Sequence, residues 1–155
     1  MGRRVLVACV GNVFFGDDAF GVEVARRLER EPLPPETRVV DFGIRGVHLA
    51  FDLLDPPDLL VLVDATCRDG VPGTLYVLDP AEDIGRAETC DAHALDPYAV
   101  LATVERMGGS LPKTRIVGCE PEDVSSGMSL SSVVRRAIEP AVALIRDLVE
   151  KEVLS

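Results

Sequence analysis

Three aspartates stand where short strand-like stretches give way to loops. Asp18 follows residues 5–10 after a glycine-rich turn, Asp41 closes residues 37–41, and Asp64 follows residues 59–63. Residues 5–10 and 59–63 are continuous runs of apolar, often β-branched side chains, the pattern of parallel strands covered on both faces. In doubly wound sheets ligands bind outside the carboxyl ends of the strands, so three acids at that edge mark a site for a cation or for acid–base work. The chain has two histidines, His48 and His93. His48 falls within a predicted helix and reads as structural. His93 is carried by the polar stretch ending Cys90-Asp91-Ala92-His93, and it reads either as a partner of Asp91 or helix-entry cap, or as a ligand. Asp18, Asp64 and His93 together would give an O, O, N set with positions left for water. Such a set accepts a borderline divalent ion such as nickel or zinc, and affinity order alone does not choose between them.

Those side chains are positioned by a strand, loop and helix at residues 5–30. Phe20, Val24 and Leu28 recur four apart with Ala25 beside them, while Glu23, Arg26, Arg27, Glu29 and Arg30 lie off that stripe, which predicts an amphipathic helix on a sheet. The intervening glycines, Gly11, Gly16 and Gly21, do not match the dinucleotide fingerprint G-x-G-x-x-G, and Asp17 and Asp18 would repel a phosphate there. Capping a helix is the ordinary role of an acid at this position, and Asp17 fits it better than Asp18.

The remaining chain alternates in the same way. Pro32-Leu33-Pro34-Pro35 stops the first helix. A short helix is expected over residues 47–54, and a fourth, antiparallel strand over residues 74–78. Residues 79–91 read as a loop over the carboxyl edge. Asp96-Pro97 reads as an N-cap with proline at the first helical position, opening a helix to about Met107. A fifth strand covers residues 113–118. The last helix opens at Ser131, with Val134, Ile138, Ala141, Ile145 and Leu148 facing the sheet and Pro140 expected to kink it. The predicted fold is α/β, a single domain over residues 1–155 with a twisted five-stranded, mostly parallel sheet between helices.

A formal charge of −10 argues against nucleic acid and anionic membranes as partners. No apolar run approaches the roughly 20 residues that cross a bilayer. The N-terminus Met1-Gly2-Arg3-Arg4 runs into a strand too short for a signal sequence. Cys9, Cys67, Cys90 and Cys119 are scattered without C-x-x-C and are expected as free thiols of a cytoplasmic protein. The chain is expected to act as a monomer.

Several of these segments, in order, resemble the hydrogenase maturation proteases. The resemblance rests on Val10-Gly11-Asn12 with Gly16-Asp17-Asp18-Ala19-Phe20-Gly21, Asp41-Phe42-Gly43, Val63-Asp64-Ala65, Pro72-Gly73-Thr74, Asp91-Ala92-His93, Val117-Gly118-Cys119-Glu120-Pro121 and Ile138-Glu139-Pro140-Ala141. It implies an endopeptidase that removes the C-terminal extension of a [NiFe] hydrogenase large subunit once nickel is inserted. It also implies that Asp18, Asp64 and His93 recognise that nickel, which belongs to the precursor and is not necessarily retained. Asp41 would position its loop or assist proteolysis, so Asp18, Asp64 and Asp41 are the candidate catalytic residues. The groove for the peptide would draw on Phe14, Phe15 and Phe42, unless these belong to the core.

Two departures from the family pattern stand out. Asp18 occupies a position often held by Glu, and Asp41-Phe42-Gly43-Ile44 replaces the more usual Asp-Gly-Gly-Thr. No Ser-His-Asp or Cys-His order and no H-E-x-x-H is present. The alternatives are a nickel-sensing chaperone that binds the subunit without cutting it, and a zinc hydrolase or zinc-binding module using Asp64, Cys67, Cys90 and His93.

Overall fold

The structure is a computed structural model that describes residues 2–82 and 95–155. Five strands, β1 (Val5–Val10), β2 (Thr37–Gly43), β3 (Leu59–Ala65), β4 (Leu75–Leu78) and β5 (Lys113–Cys119), form one sheet in the order β2-β1-β3-β5-β4. All neighbours are parallel except β4, which runs antiparallel to β5. The helices are α1 (Phe20–Leu28), α2 (Gly46–Asp52), α3 (Pro97–Arg106) and α4 (Ser132–Leu154), so the expected α/β class is observed.

The unbroken apolar runs have a simple cause. Successive side chains of a strand point to opposite faces, and both faces of β1 and β3 are covered. Val5, Val7 and Cys9 join Val61 and Val63 in a core beneath α1 and α4. Leu6, Ala8 and Val10 join Leu60 and Leu62 in a second core beneath α2 and α3. Edge strand β2 buries only Phe42, which explains its mixed composition. The strand runs two residues past the predicted end at Asp41, and this extension carries Phe42 into the second core.

Connection order then fixes the site. From β1 the chain crosses to β2 on one side, and from β2 it returns past β1 to β3 on the other. The carboxyl ends of β1 and β3 therefore flank the switch point of the sheet, the usual place for a ligand. Helix α1 lies so close to this crossing that a Cβ on Gly21 would collide with the carbonyl oxygens of Val10 and Val63. Only glycine fits there.

Other expectations meet the structure in detail. Asp96 caps α3, its Oδ1 accepting from the Tyr98 N–H at 3.0 Å, with Pro97 opening the helix. Helix α4 remains one element with Pro140 inside it. The expectation of free thiols needs correction: Cys9 and Cys119 are free and buried, but Cys67 is disulfide-bonded. Cys90 and His93 lie outside the described residues.

Candidate active site

Asp18 belongs to a single 3-10 turn, Gly16–Ala19, that links β1 to α1. Its side chain is buried, and Oδ2 accepts from the Asn12 N–H at 2.8 Å. Gly11 makes this fold-back feasible, because it holds φ at +152° and a Cβ there would strike the Asp18 carbonyl oxygen.

Asp64, the penultimate residue of β3, lies on the other side of the switch point, 5% exposed, with Oδ1 accepting from the Ala65 N–H at 2.8 Å. Burial, and after it the charge of Asp18, pushes the Asp64 carboxyl well above the ordinary carboxylate range. Asp96 adds to this from the start of α3, and the Ala65 N–H opposes it. Two acids thus share a desolvated edge, where the charge of Asp18 disfavours ionisation of Asp64. A divalent cation delivered there reverses that repulsion. The donor set at the switch point therefore fits a metal ion with hard or borderline preferences.

Asp41 differs from these two in being exposed, with Oδ1 accepting from the Gly43 N–H at 2.8 Å. It lines a shallow groove of about 330 Å³ together with Asn12, Phe14, Val22, Ile44 and Arg45. Phe14 and Ile44 are 60% and 58% exposed at its rim. Of the aromatic residues expected near the peptide, Phe14 lines this groove, Phe15 is half-buried, and Phe42 is core. Arg45 braces the far wall, donating through Nε to the Phe42 carbonyl and through Nη2 to that of Asp41.

One reading is overturned. Asp17 does not cap the helix that follows it; no side chain caps the 3-10 turn or α1. Its carboxylate instead turns toward residues 122–131, more than a hundred positions downstream. A second buried acid, Glu120, was not singled out by the sequence. Its Oε1 accepts from the N–H groups of Arg68 and Gly70 and from the Tyr76 hydroxyl, which ties down the loop that follows Asp64. The available signal was an acid placed directly after a buried strand, where solvent cannot satisfy it.

The thiols offer little chemistry. Burial raises the Cys9 thiol far above its ordinary range, and burial with the nearby Asp17 charge pushes Cys119 up to about 12. Neither supplies a thiolate near neutral pH. Because Cys67 is disulfide-bonded, it also presents no thiolate to a zinc ion. His48 is exposed on α2. Among the described residues no three His, Cys, Asp or Glu side chains form a metal-sized cluster, and the third expected ligand, His93, lies outside them. No described helix is long and apolar enough to cross a membrane.

Fold and site together define a doubly wound α/β domain with two buried carboxylates, Asp18 and Asp64, at its switch point. The hydrogenase maturation protease model matches residues 22–148, and the chain belongs to that family. It is 30% identical over 156 residues to a putative hydrogenase maturation protease of Methanocaldococcus jannaschii, covering 96% of this chain and 98% of that protein. To the hydrogenase 2 maturation protease of Escherichia coli it is 30% identical over 142 residues, covering 90% and 86%. Among solved structures, the hydrogenase maturating endopeptidase HybD from E. coli is similar with a TM-score of 0.81 at 30% identity, covering 96% of this chain and 93% of that one. The [NiFe] hydrogenase maturation protease HycI from Thermococcus kodakarensis gives 0.76 at 27% identity, covering 96% and 94%.

Proposed function

We propose that this chain is an endopeptidase that removes the C-terminal extension from the large subunit of a [NiFe] hydrogenase, and that it acts only after nickel has been inserted. Asp18, Asp64 and His93 recognise the ion, which arrives as part of the precursor. The observation that carries this reading is the pair of buried acids at the switch point, with Asp64 held toward its protonated form by burial and by Asp18. An empty precursor brings no charge to relieve that pair. A nickel-loaded one does, so the metal adds affinity that the peptide alone lacks. Each tenfold preference for the loaded form needs about 1.4 kcal/mol, which a carboxylate–metal contact in a desolvated cleft can supply. The tail runs past Asp41 along the groove rimmed by Phe14 and Ile44, where Asp41 is placed to hold the peptide or assist its hydrolysis. The protein acts as a monomer in the cytoplasm, where the precursor is assembled.

The test is co-expression with a candidate large subunit, with and without nickel, followed by the intact mass of that subunit. Loss of a C-terminal peptide is expected only with nickel, and is expected to vanish in Asp18→Ala and His93→Ala. A nickel-loaded subunit that stays whole overturns the protease reading. If it stays whole in a stable complex with this chain, the chaperone reading replaces it.

A further inference from the structure

We infer that Asp17 is a positioning residue for this site, tying the turn that carries Asp18 to the loop between β5 and α4. The proposal rests on the peptidase reading above for its consequence in turnover, but not for the coupling itself. Asp17 is fully buried. Its Oδ2 accepts from the N–H groups of Glu122 at 2.8 Å and Asp123 at 3.0 Å and from the Ser131 hydroxyl at 2.8 Å. Its Oδ1 accepts from the Ser131 N–H at 2.7 Å. A carboxylate taking four donors at such lengths is held by charge-assisted bonds, roughly twice as strong as neutral ones.

The backbone repeats the connection. The Asp17 N–H donates to the Asp123 carbonyl at 2.8 Å, and the Gly16 N–H to that of Gly127 at 2.8 Å. In return the Gly127 N–H donates to the Phe14 carbonyl at 2.9 Å, so Phe15 and Gly127 form an isolated parallel bridge. The turn needs this support. One 3-10 turn has poor hydrogen-bond geometry and few bonds of its own, and no side chain caps this one. What fixes residues 14–18 is therefore the 121–131 loop, and what fixes that loop is Asp17. Phe14, exposed at the groove rim, leads into the braced turn and Asp18 lies within it, so both are set by the same cross-link. The two neighbouring acids divide the labour: Asp18 faces the metal, and Asp17 determines where Asp18 stands.

Asp17→Asn keeps the shape but replaces one acceptor oxygen with a donor. Ser131→Ala removes only the hydroxyl and leaves the Ser131 N–H bond to Oδ1. The first readout is amide exchange at Gly127 and at Asn12, whose N–H reports on Asp18 directly. Exchange at both is expected to quicken about tenfold in Asp17→Asn and about threefold in Ser131→Ala, with Leu60 and Leu62 of β3 unchanged. The second readout is turnover. KM for the nickel-loaded precursor is expected to rise about tenfold in Asp17→Asn, the equivalent of losing one charge-assisted bond at the site. A merely structural role would lower kcat through a smaller folded fraction at unchanged KM. Unchanged Asn12 exchange in a folded variant overturns the proposal, as does quickened exchange with unchanged KM. If Asp17→Asn does not fold, Ser131→Ala is judged by the same two readouts. If the wild-type chain never cuts the precursor, the peptidase reading falls, and Asn12 and Gly127 exchange alone decides whether Asp17 fixes the turn.

Discussion

The two edges of the sheet treat acids in opposite ways. At the amino edge they meet cations: buried Glu152 takes Lys113 at 2.9 Å and Arg3 at 3.3 Å, and Arg4 reaches Asp55 at 3.3 Å while its N–H donates to Asp58. At the carboxyl edge no described Lys or Arg forms an ion pair with Asp17, Asp64 or Glu120. Asp17 and Glu120 are satisfied by N–H and hydroxyl donors rather than by cations, and Asp64 lies within the field of Asp18. One edge is electrostatically closed. The other holds acids that no described Lys or Arg neutralises. Acids within one small domain are thus paired with cations at one edge and left without a described cation at the other, according to what faces them.

The sharpest way to break this comparison is Asp64→Asn. Cleavage of the nickel-loaded precursor is expected to fall by about two orders of magnitude or more, since even changes outside a metal's own ligands cost 10–100-fold. The same variant should melt higher than wild type near neutral pH. Folded Asp64 binds its proton more tightly than the unfolded chain does, so above the ordinary value of 3.8 the folded state holds more protons. Stability from this group is therefore complete below that value and is lost as pH rises toward the raised folded pKa. Calorimetry of both proteins at pH 5 and pH 8 checks it: the gap should widen at the higher pH, and a variant less stable than wild type at both would show that the edge is not strained by charge.

Glu152→Gln probes the opposite edge and should reverse the pattern. Removing the charge from a buried acceptor with two cationic partners is expected to cost about 1–3 kcal/mol in denaturant unfolding, with cleavage by the folded protein unchanged. A loss of cleavage beyond the loss of folded protein would blur the division between the edges. Arg4→Ala is the smallest test. Its partner Asp55 is exposed and the pair is screened by solvent, so denaturant unfolding should show little or no change in midpoint.

Much of this was legible in the sequence. The apolar runs of β1 and β3 declared strands covered on both faces, and Asp96-Pro97 declared the start of α3, because burial and capping leave local marks. The placement of Asp64 at the carboxyl edge followed from the end of its strand. The downstream bonds of Asp17 did not, because a capping Asp and one bonded to a distant loop look alike until residues 122–131 are folded beside it. Glu120 was hidden for the same reason: its donors, Arg68, Gly70 and Tyr76, precede it by dozens of positions and converge only in the sheet. Phe42 was ambiguous between groove and core because its place depended on whether β2 stopped at Asp41 or continued through Gly43.

The bonds of Asp17 also set a schedule. Its partners lie 105, 106 and 114 residues further along the chain. During synthesis β1 and α1 emerge early, yet the turn between them lacks its downstream partners until residues 122–131 have been added. The face over α1 waits longer still, for Val142, Ile145 and Val149 of α4. Domains generally fold as units rather than piece by piece. A nascent or truncated copy of this chain therefore carries Asp17, Asp18 and Asp64 without their folded arrangement, which is complete only when the last helix docks.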